Sequence, residues 1–244
     1  MPRKCNSRYL ARFAETDADV QAAQTLRYRC FRGGDGMDVD LFDAMCRHVL
    51  IEDQTTGEVA GCFRLMFFRD GSQINTSYAA QYYELSALKS YKAPMVELGR
   101  FCIAPEVEDG ADVLRVAWAM LTQCVDDSKT GMLFGCSSFK GTDEAAYFDT
   151  FSMLKDNHLA PKRWLPRVKA PKVFRYGEGK RRTTDRKRGL RMMPPLLRSY
   201  LTMGGWVSDH AVVDHDLNTL HVFTGLEIAS VPPARARLLR AVVG

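Results

Sequence analysis

Hydrophobic and polar positions along the chain follow two periods, and each change of period marks a predicted element. Residues 8–14, 48–53 and 58–68 are short apolar or alternating runs, which are typical of strands. Residues 17–34 repeat apolar side chains every three or four positions, as an amphipathic helix does. The polar turn at 54–57 joins two of these runs and predicts a hairpin.

The second half of the chain continues this change of period. Residues 96–105 and 131–139 have the apolar character of buried strands, and 111–127 between them predicts an amphipathic helix. Another helix is predicted over 141–159, with Thr142 as its N-cap. The remaining predicted elements are a short helix after Pro194-Pro195 and strands near 206–216 and 220–228.

The order of these elements predicts an α/β (α+β) fold with a mixed central sheet flanked by helices. It resembles the core of the GNAT-type acyltransferases. With 244 residues, of which 46% are hydrophobic, the chain is long enough for one domain with a sizeable core. The predicted divisions of that domain are a core at about 8–160, a basic elaboration at 161–191, a C-terminal helix and strands at 192–230, and a basic tail at 231–244.

Cysteine usage and the first residues of the chain bear on location. The seven cysteines are odd in number and form no Cys-x-x-Cys pair, which argues against a disulfide framework or a zinc site and predicts a reducing compartment. The opening "MPRKCNSR" lacks the apolar region of a signal peptide, and no apolar run approaches the length of a membrane span. We expect a cytoplasmic protein.

Positive charge is concentrated in one segment. The net charge is +5, but residues 162–191 contain thirteen Lys or Arg against Glu178 and Asp185. Such a segment predicts an anionic partner, which is a nucleic acid, a lipid surface or an acidic protein. With three aromatic residues and no recognised binding motif in the segment, nucleic acid is the least favoured of these.

Charged residues also occur inside apolar elements. Glu97 and Arg100 interrupt the apolar strand 96–105, where an unpaired charge is costly. Other members of the same set precede them in the chain: Arg27, Phe31, Asp38, Asp40, Asp43 and Arg64. This set either forms a site that binds a zwitterion and removes its proton, or forms a buried ion-pair network that orders the fold. In this order it resembles the charged signature of the acyl-homoserine-lactone synthases.

The loop after the strand 96–105 bears on the acyl donor. Acetyl-CoA-dependent members of the GNAT group have a glycine-rich loop there, whereas this chain has one glycine, Gly110, beside Glu106, Glu108 and Asp109. These carboxylates would repel a pyrophosphate. The sequence therefore predicts a donor that is not bound through the pyrophosphate of CoA.

Several longer blocks resemble a particular family. The blocks are "FDAMCRHVLIED", "VELGRFCIAPE", "LFGCSSFKGTDEAA" and "PPLLRSYLTMGGWVSDHAVVDHDLNT". They are similar to those of the L-ornithine Nα-acyltransferases, over about residues 8–228. The resemblance implies transfer of a 3-hydroxy fatty acyl group from acyl carrier protein to the α-amine of ornithine, which gives lyso-ornithine lipid. It implies no bound cofactor and no metal, with the phosphopantetheine thioester as donor substrate. Another acceptor such as glutamine, and a lactone synthase, remain alternatives.

Roles for the charged set follow from residue type and this resemblance. Glu97 is the predicted base, since an α-amine must be deprotonated before it attacks a thioester. Arg100 and Phe101 complete the predicted catalytic set, and backbone N–H groups along 99–102 would polarise the thioester oxygen. The predicted substrate-binding residues are Arg27, Phe31 and Arg64, with Arg100 as a further carboxylate ligand, and Asp38, Asp40 and Asp43 for an ammonium group.

Two basic segments are predicted to bind anionic partners. Acyl carrier proteins are small and acidic, so Arg181, Arg182, Lys187 and Arg188 are predicted to dock the donor. The tail is predicted to lie on the inner face of the cytoplasmic membrane through Arg235, Arg237 and Arg240, with Leu238 and Leu239 inserted.

Two other groups of residues have alternative interpretations. Cys136, Ser137 and Ser138 suggest an acyl-accepting nucleophile, but strand packing and hydrogen bonding are favoured because no glycine elbow surrounds a serine. His210, Asp214, His215 and Asp216 suggest a metal site, but a hydrogen-bonded turn is favoured because strand alternation separates neighbours.

Overall fold

The computed structural model describes residues 8–176 and 183–243, with the side chains of all but the last two. The strands are β1 (Tyr9–Phe13), β2 (Arg47–Asp53), β3 (Val59–Phe68), β4 (Tyr83–Glu84), β5 (Met95–Ile103), β6 (Met132–Lys140), β7 (Arg167–Val168), β8 (Val173–Arg175), β9 (Trp206–Val207), β10 (His210–Asp214) and β11 (Thr219–Glu227). The helices are α1 (Asp17–Phe31), α2 (Gly110–Asp127), α3 (Phe148–Asn157), α4 (Arg186–Met192), α5 (Pro195–Thr202) and α6 (Pro233–Val243). The α/β class is confirmed.

The chain divides into two compact units. Within the described residues, the first unit contains 8–67, 96–130 and 232–243, and the second contains 68–95, 131–176 and 183–231. The single domain expected from the sequence stays a prediction.

The first unit is a sheet with helices on both faces. Its strand order is β1-β2-β3-β5, and the predicted hairpin is confirmed as the antiparallel pair β2 and β3. Helix α1 packs on the face that carries Leu50 and Cys62. Helix α2 covers the other face, where a Cβ on Gly61 would lie only 3.0 Å from the Val113 side chain. A larger residue than glycine would therefore require the Val113 side chain and the Cys102 backbone to shift.

The two ends of the first unit are fixed by polar contacts. Thr16 and Asp19 form a capping box that starts α1, which satisfies backbone N–H groups that a helix end leaves open. The basic tail is a helix, α6, and Arg240 binds Asp126 of α2 through Nη2 at 2.7 Å. Leu239 is half-buried, whereas Leu238 is 62% exposed.

The second unit has its own sheet and aromatic core. Its strand order is β6-β11-β10-β8, with β9 beside β11, and β6 pairs with β11 in antiparallel register along nine residue pairs. Buried apolar side chains of α3, α5 and these strands form its core, among them Phe139, Phe151, Leu197 and Leu220. This unit is thus organised by packing around the β6–β11 pair.

One prediction for the second unit was wrong in detail. Asp143, not Thr142, caps the helical segment, because its carboxylate accepts from the Ala145 N–H at 3.0 Å and a short 3₁₀ turn precedes α3. The described part of the basic elaboration contains β7, β8 and α4, and β8 pairs with β10.

Two further observations concern cysteines and membrane spans. The six cysteines among the described residues are free thiols. Within 8–176 and 183–243, no helix is both long and apolar enough to cross a bilayer.

Candidate active site

A left-handed residue interrupts strand β5. Arg100 has φ 54°, a conformation that residues other than glycine rarely adopt. The preceding residue, Gly99, faces Arg64, because a Cβ atom added to Gly99 would lie 3.6 Å from Arg64 Nε. Two residues after Arg100, the side chain of Cys102 faces Cys62, and the two Sγ atoms are 3.5 Å apart. Because Arg64 and Cys62 are on the same face of β3, the strand carries one extra residue between Gly99 and Cys102, as in a β-bulge.

The bulge explains how two charges of β5 come together. In a regular strand, residues three apart point to opposite faces. Here Glu97 is on the face of Gly99, which is the α1 face, and Arg100 reaches the same face to bind Asp38 through Nε at 2.9 Å. Glu97 is only 4% exposed. The irregular backbone therefore assembles both predicted residues on one side of the sheet.

Arg27 is the most buried part of the site. It lies on the inner face of α1, is 1% exposed, and binds Asp38 through Nε at 2.9 Å. Its Nη1 and Nη2 atoms bind the two carboxylate oxygens of Asp43 at 2.8 and 3.1 Å. A bidentate pair of this kind has a fixed geometry and is stronger than a neutral hydrogen bond.

Arg64 and Arg100 extend this network to Asp40. Arg64 binds both Asp40 oxygens, at 2.6 and 2.7 Å, and also reaches Asp43 Oδ1 at 2.5 Å. Arg100 Nη2 binds Asp40 Oδ2 at 3.1 Å. Three arginines and three aspartates from α1, the 36–45 segment, β3 and β5 are therefore joined in one ion-pair network. Arg32, which follows α1, adds a longer ion pair with Asp38, at 3.7 Å.

Two carboxylates of this network, those of Asp40 and Asp43, have lowered pKa values. Burial would raise the pKa of Asp43, but the hydrogen bond and charge of Arg27, with the charge of Arg64, keep that pKa below its ordinary value. The pKa of Asp40 is also lowered, because its contacts with Arg64 outweigh the effect of burial. Asp40 is half-buried, whereas Asp38 and Asp43 are buried, so Asp40 is the most accessible aspartate of the three.

Two residues that were not among the predicted site residues contact the network. Gln24, one turn before Arg27 on α1, donates to Asp43 Oδ2 at 3.0 Å. His48 Nε2 lies 3.1 Å from the Asp43 carbonyl oxygen, and burial lowers the pKa of this histidine. A polar His48 within the apolar β2 was the available signal.

Cys46 shows that Glu97 belongs to this electrostatic group. Burial raises the pKa of the Cys46 thiol to about 11, and the negative charges of Glu97, Asp43 and Asp40 add to that rise while Arg64 opposes it. The Glu97 carboxylate is thus within electrostatic range of the network.

The two predicted aromatic residues have separate surroundings. Phe31 is half-buried and packs against the core between α1 and the sheet. The Phe101 ring stacks on Phe63, with centroids 6.0 Å apart. Since Phe63 lies one residue from Cys62 on β3, the Phe101 side chain is on the face opposite the network.

The predicted docking residues lie partly in the second unit. Lys187 is exposed on α4, and Arg188 Nη1 lies 3.5 Å from Asp149 Oδ2. Exposed Arg186 and Arg191 extend this basic surface along α4. Arg181 and Arg182 lie outside the described residues.

The two remaining groups of residues form hydrogen bonds within the second unit. Ser137 is buried and accepts from Thr224 Oγ1 at 2.9 Å. Asp214 Oδ1 accepts from the N–H groups of Asp216 and Leu217 at 3.0 and 3.1 Å, which confirms the hydrogen-bonded turn. Within the part of the chain that the structure describes, no cluster of three or more potential ligands could hold a metal ion.

Comparison with known proteins identifies the family. Residues 26–119, which include the whole charged network, match the acetyltransferase (GNAT) domain. An L-ornithine N(alpha)-acyltransferase of Rhodobacter capsulatus is 32% identical over 230 residues, which cover 88% of each chain. The chain belongs to the L-ornithine N(alpha)-acyltransferase family. A second such acyltransferase, of Brucella abortus, is 30% identical over 90% of this chain and 84% of its own length. The predicted GNAT-like fold and acyltransferase class are confirmed.

Solved structures give more distant matches to this acyltransferase. A CoA-dependent acyl-homoserine lactone synthase, BjaI, is 13% identical over 92% of this chain and 82% of its own, with a TM-score of 0.47. FeeM, an N-acyl amino acid synthase from uncultured soil microbes, is 11% identical over 97% of each chain, with a TM-score of 0.45. Because both scores are below 0.5, the family assignment depends on the sequence relatives.

Proposed function

We propose that this acyltransferase moves a fatty acyl group from an acyl carrier protein thioester to the α-amine of L-ornithine, giving lyso-ornithine lipid. The observation that carries the proposal is the position of Glu97, on the same face of the sheet as the ion-pair network. The names of the sequence relatives support ornithine as the acceptor. A purified reaction with acyl carrier protein thioester and ornithine, read by mass spectrometry, tests it.

The accessible carboxylate of the site favours a cationic acceptor. Arg27, Arg64, Arg100 and Arg32, which lies 3.7 Å from Asp38, balance the three aspartates and Glu97 in charge. Among these carboxylates, Asp40 is only half-buried. Ornithine carries a side-chain ammonium, which an accessible carboxylate attracts. Asp40, as the most accessible aspartate, is the proposed ligand for that ammonium.

The reaction needs one proton removed and one thiol released. In the proposed step, Glu97 accepts a proton from the α-ammonium, directly or through water. The amine nitrogen then attacks the thioester carbon, and the tetrahedral intermediate collapses to an amide as the carbon–sulfur bond breaks. The nitrogen gives up its second proton as the amide forms, and the departing sulfur takes that proton, directly or through Glu97 and water, and leaves as the phosphopantetheine thiol. No cofactor is required by this sequence of bonds.

The bulge of β5 supplies the proposed oxyanion contact. A residue at φ 54° turns the adjacent peptide units out of the regular strand direction. Backbone N–H groups at 99–102 would then be available to the thioester oxygen, whose negative charge develops during attack. Phe101 contributes through its backbone in this proposal, because its ring packs on Phe63.

The acceptor proposal predicts a specific effect of Asp40→Asn. Removing this charge should raise KM for ornithine about tenfold, while KM for glutamine changes little, because only ornithine loses a charged partner. Steady-state kinetics with both amino acids measure this.

The control for Asp40→Asn is Asp35→Asn, which removes an exposed carboxylate from the same segment. Asp38→Asn should act on both acceptors alike, since Asp38 is buried between Arg27 and Arg100. An equal loss for ornithine and glutamine in Asp40→Asn would show that Asp40 has only a structural role.

Two other products would indicate a different function. A glutamine-accepting enzyme would form an acyl-glutamine in preference to the ornithine product. A lactone synthase would form an acyl-homoserine lactone from S-adenosylmethionine. Incubation of the enzyme with one thioester donor and an equimolar mixture of acceptors separates the three by product mass.

The donor-docking proposal rests on the basic surface of α4. Exposed Arg186, Lys187 and Arg191 lie along this helix, while Arg188 is partly neutralised by Asp149. Such a surface suits a small acidic protein, and it would supply affinity that CoA-dependent enzymes obtain from phosphate contacts. Arg181 and Arg182 belong to the same proposal, although they lie outside the described residues.

Charge reversal on this surface should weaken the donor alone. The variant Lys187→Glu with Arg191→Glu is expected to raise KM for the carrier thioester about tenfold at low salt, and less at high salt, because screening weakens exposed charges. KM for ornithine should be unchanged. Arg188 is left intact because a glutamate there would face the buried Asp149 carboxylate.

The matched control for this variant is Lys89→Glu with Lys155→Glu, which makes the same charge change at two exposed positions of the second unit. If the two double variants raise KM for the donor equally, the α4 surface is not the docking site.

A further inference from the structure

The segment 36–45 has two chemically different sides. Asp38 and Asp40 point toward Arg27, Arg64 and Arg100, as their ion pairs show. The residues between and beside them are large, apolar and exposed: Met37 by 54%, Val39 by 60% and Leu41 by 90%. Asp43 and Met45 follow on a short 3₁₀ turn, where Asp43 is buried and Met45 is 52% exposed.

This exposure is fixed by the network. The aspartates bind arginines of α1, β3 and β5, so the segment cannot turn over without breaking several ion pairs. Scattered single apolar side chains on a surface are ordinary, but four exposed ones within nine residues form a patch of the kind that marks an interaction site.

We propose that this patch, formed by Met37, Val39, Leu41 and Met45, is the contact surface for an anionic phospholipid bilayer. Exposed cationic side chains flank it at both ends. Arg29 precedes it on α1, in a surface pair with the exposed Glu106 at 3.2 Å, and Arg47 follows it at the start of β2. Arg32, between α1 and the patch, is paired with Asp38 at 3.7 Å. Apolar side chains bordered by cations are what an interfacial membrane contact requires, because the former enter the acyl region and the latter bind headgroups.

A bilayer fits this patch better than a second copy of the chain. Stable protein interfaces use about 20–30 residues a side, whereas this patch is one ten-residue segment. A bilayer also suits the product of the reaction, because an acylated amino acid is an amphiphile that partitions into membranes. In this respect the inference rests on the proposed function. A membrane contact on the outer side of the segment would keep the reaction site near the destination of its product.

Vesicle binding of the full chain tests the proposal without any substrate. Flotation is measured with vesicles of phosphatidylcholine alone and with phosphatidylglycerol added. We expect binding to the anionic vesicles, and about a tenfold weaker partition for Val39→Ser with Leu41→Ser. Leu10→Ser is the matched control, since Leu10 is a 48% exposed leucine of the same unit. It should bind like the original protein.

A second variant reports the contact directly. In Leu41→Trp, the introduced indole should shift its emission to shorter wavelength and be quenched by brominated lipids when vesicles are added. If vesicles still bind but neither signal appears, the membrane contact lies elsewhere in the chain. Leu238→Ser tests α6: if this variant loses vesicle binding and Val39→Ser with Leu41→Ser does not, the contact is α6.

Two other outcomes would also overturn the proposal. If light scattering shows a dimer that Leu41→Ser converts to a monomer, the patch is a contact between copies. If Leu41→Ser raises KM only for long-chain donors while vesicle binding is unchanged, the patch binds the acyl chain. Vesicle flotation and tryptophan fluorescence are measured without acceptor or donor. Their results would therefore still test the membrane contact if the enzyme failed to use ornithine.

Discussion

Replacing Glu97 with glutamine is expected to lower kcat by about two to four powers of ten, the usual contribution of a positioned general base. Glutamine has nearly the same shape but cannot accept a proton from the α-ammonium. Glu97 is buried and lies on the face of the sheet that carries the ion-pair network, so neither bulk water nor an exposed carboxylate replaces it easily.

The measurement is the initial rate with purified acyl carrier protein thioester and saturating ornithine. KM for the donor should stay near its original value, because Glu97 acts on the acceptor amine. The control is Glu106→Gln, which neutralises an exposed glutamate of the same unit that pairs with Arg29. Near-normal turnover in Glu97→Gln, with an unchanged circular dichroism spectrum, would show that another group is the base.

The sequence indicated which residues of β5 were unusual but not how they are arranged. Apolar residues on both sides of Glu97 and Arg100 predict a strand, and in a regular strand these two residues point to opposite faces. The left-handed conformation of Arg100 brings them to one face. Sequence patterns do not predict this conformation, since arginine has no preference for it and the ion pairs that maintain it come from distant segments.

The membership of the charged set was predictable, but its internal pairing was not. Arg27, Arg64 and Asp43 were selected because their order resembles a family signature. Their side chains bind one another across separations of 16 and 21 residues. Arg27, Arg64 or Arg100 is predicted to bind the substrate α-carboxylate, and that role stays a prediction. In the structure the aspartates bind these guanidinium groups.

Predictions from helix periodicity were confirmed where neighbouring residues determine the structure. The first helix ends near two glycines, and α1 covers most of the range that its period predicts. The N-cap of the helical segment near residue 143 was displaced by one residue, because adjacent Thr142 and Asp143 are both good caps and backbone geometry chooses between them. Gln24 was overlooked since polar residues on a helix are ordinarily solvated, and its burial depends on Asp43 from another segment.

Replacing Arg27 with methionine is expected to destabilise the protein by about 3–5 kcal/mol, the cost of breaking a buried ion pair by removing one partner. Methionine fills much of the same volume, so the loss comes mainly from the carboxylates of Asp38 and Asp43. Both are buried, and each would lose a cation that now binds it within 3 Å. Gln24 and Arg64 remain beside Asp43 and limit the loss.

Urea unfolding followed by circular dichroism measures this destabilisation. The control is Arg115→Met, which breaks an exposed i,i+3 pair with Asp112 and should cost no more than about 0.5 kcal/mol.

The dependence of stability on acid pH is a second measurement of the Arg27→Met effect. Because the pKa of Asp43 is lowered in the folded state, its stabilising contribution is present above the ordinary carboxyl pKa and is lost as pH falls through the folded-state pKa. Removal of Arg27 should raise that folded-state pKa, so the variant should lose less stability than the original protein between pH 5 and pH 3, roughly the range where unfolded carboxylates titrate. Equal stability of Arg27→Met and the original protein at pH 7 would show that the network serves the substrate and not the fold.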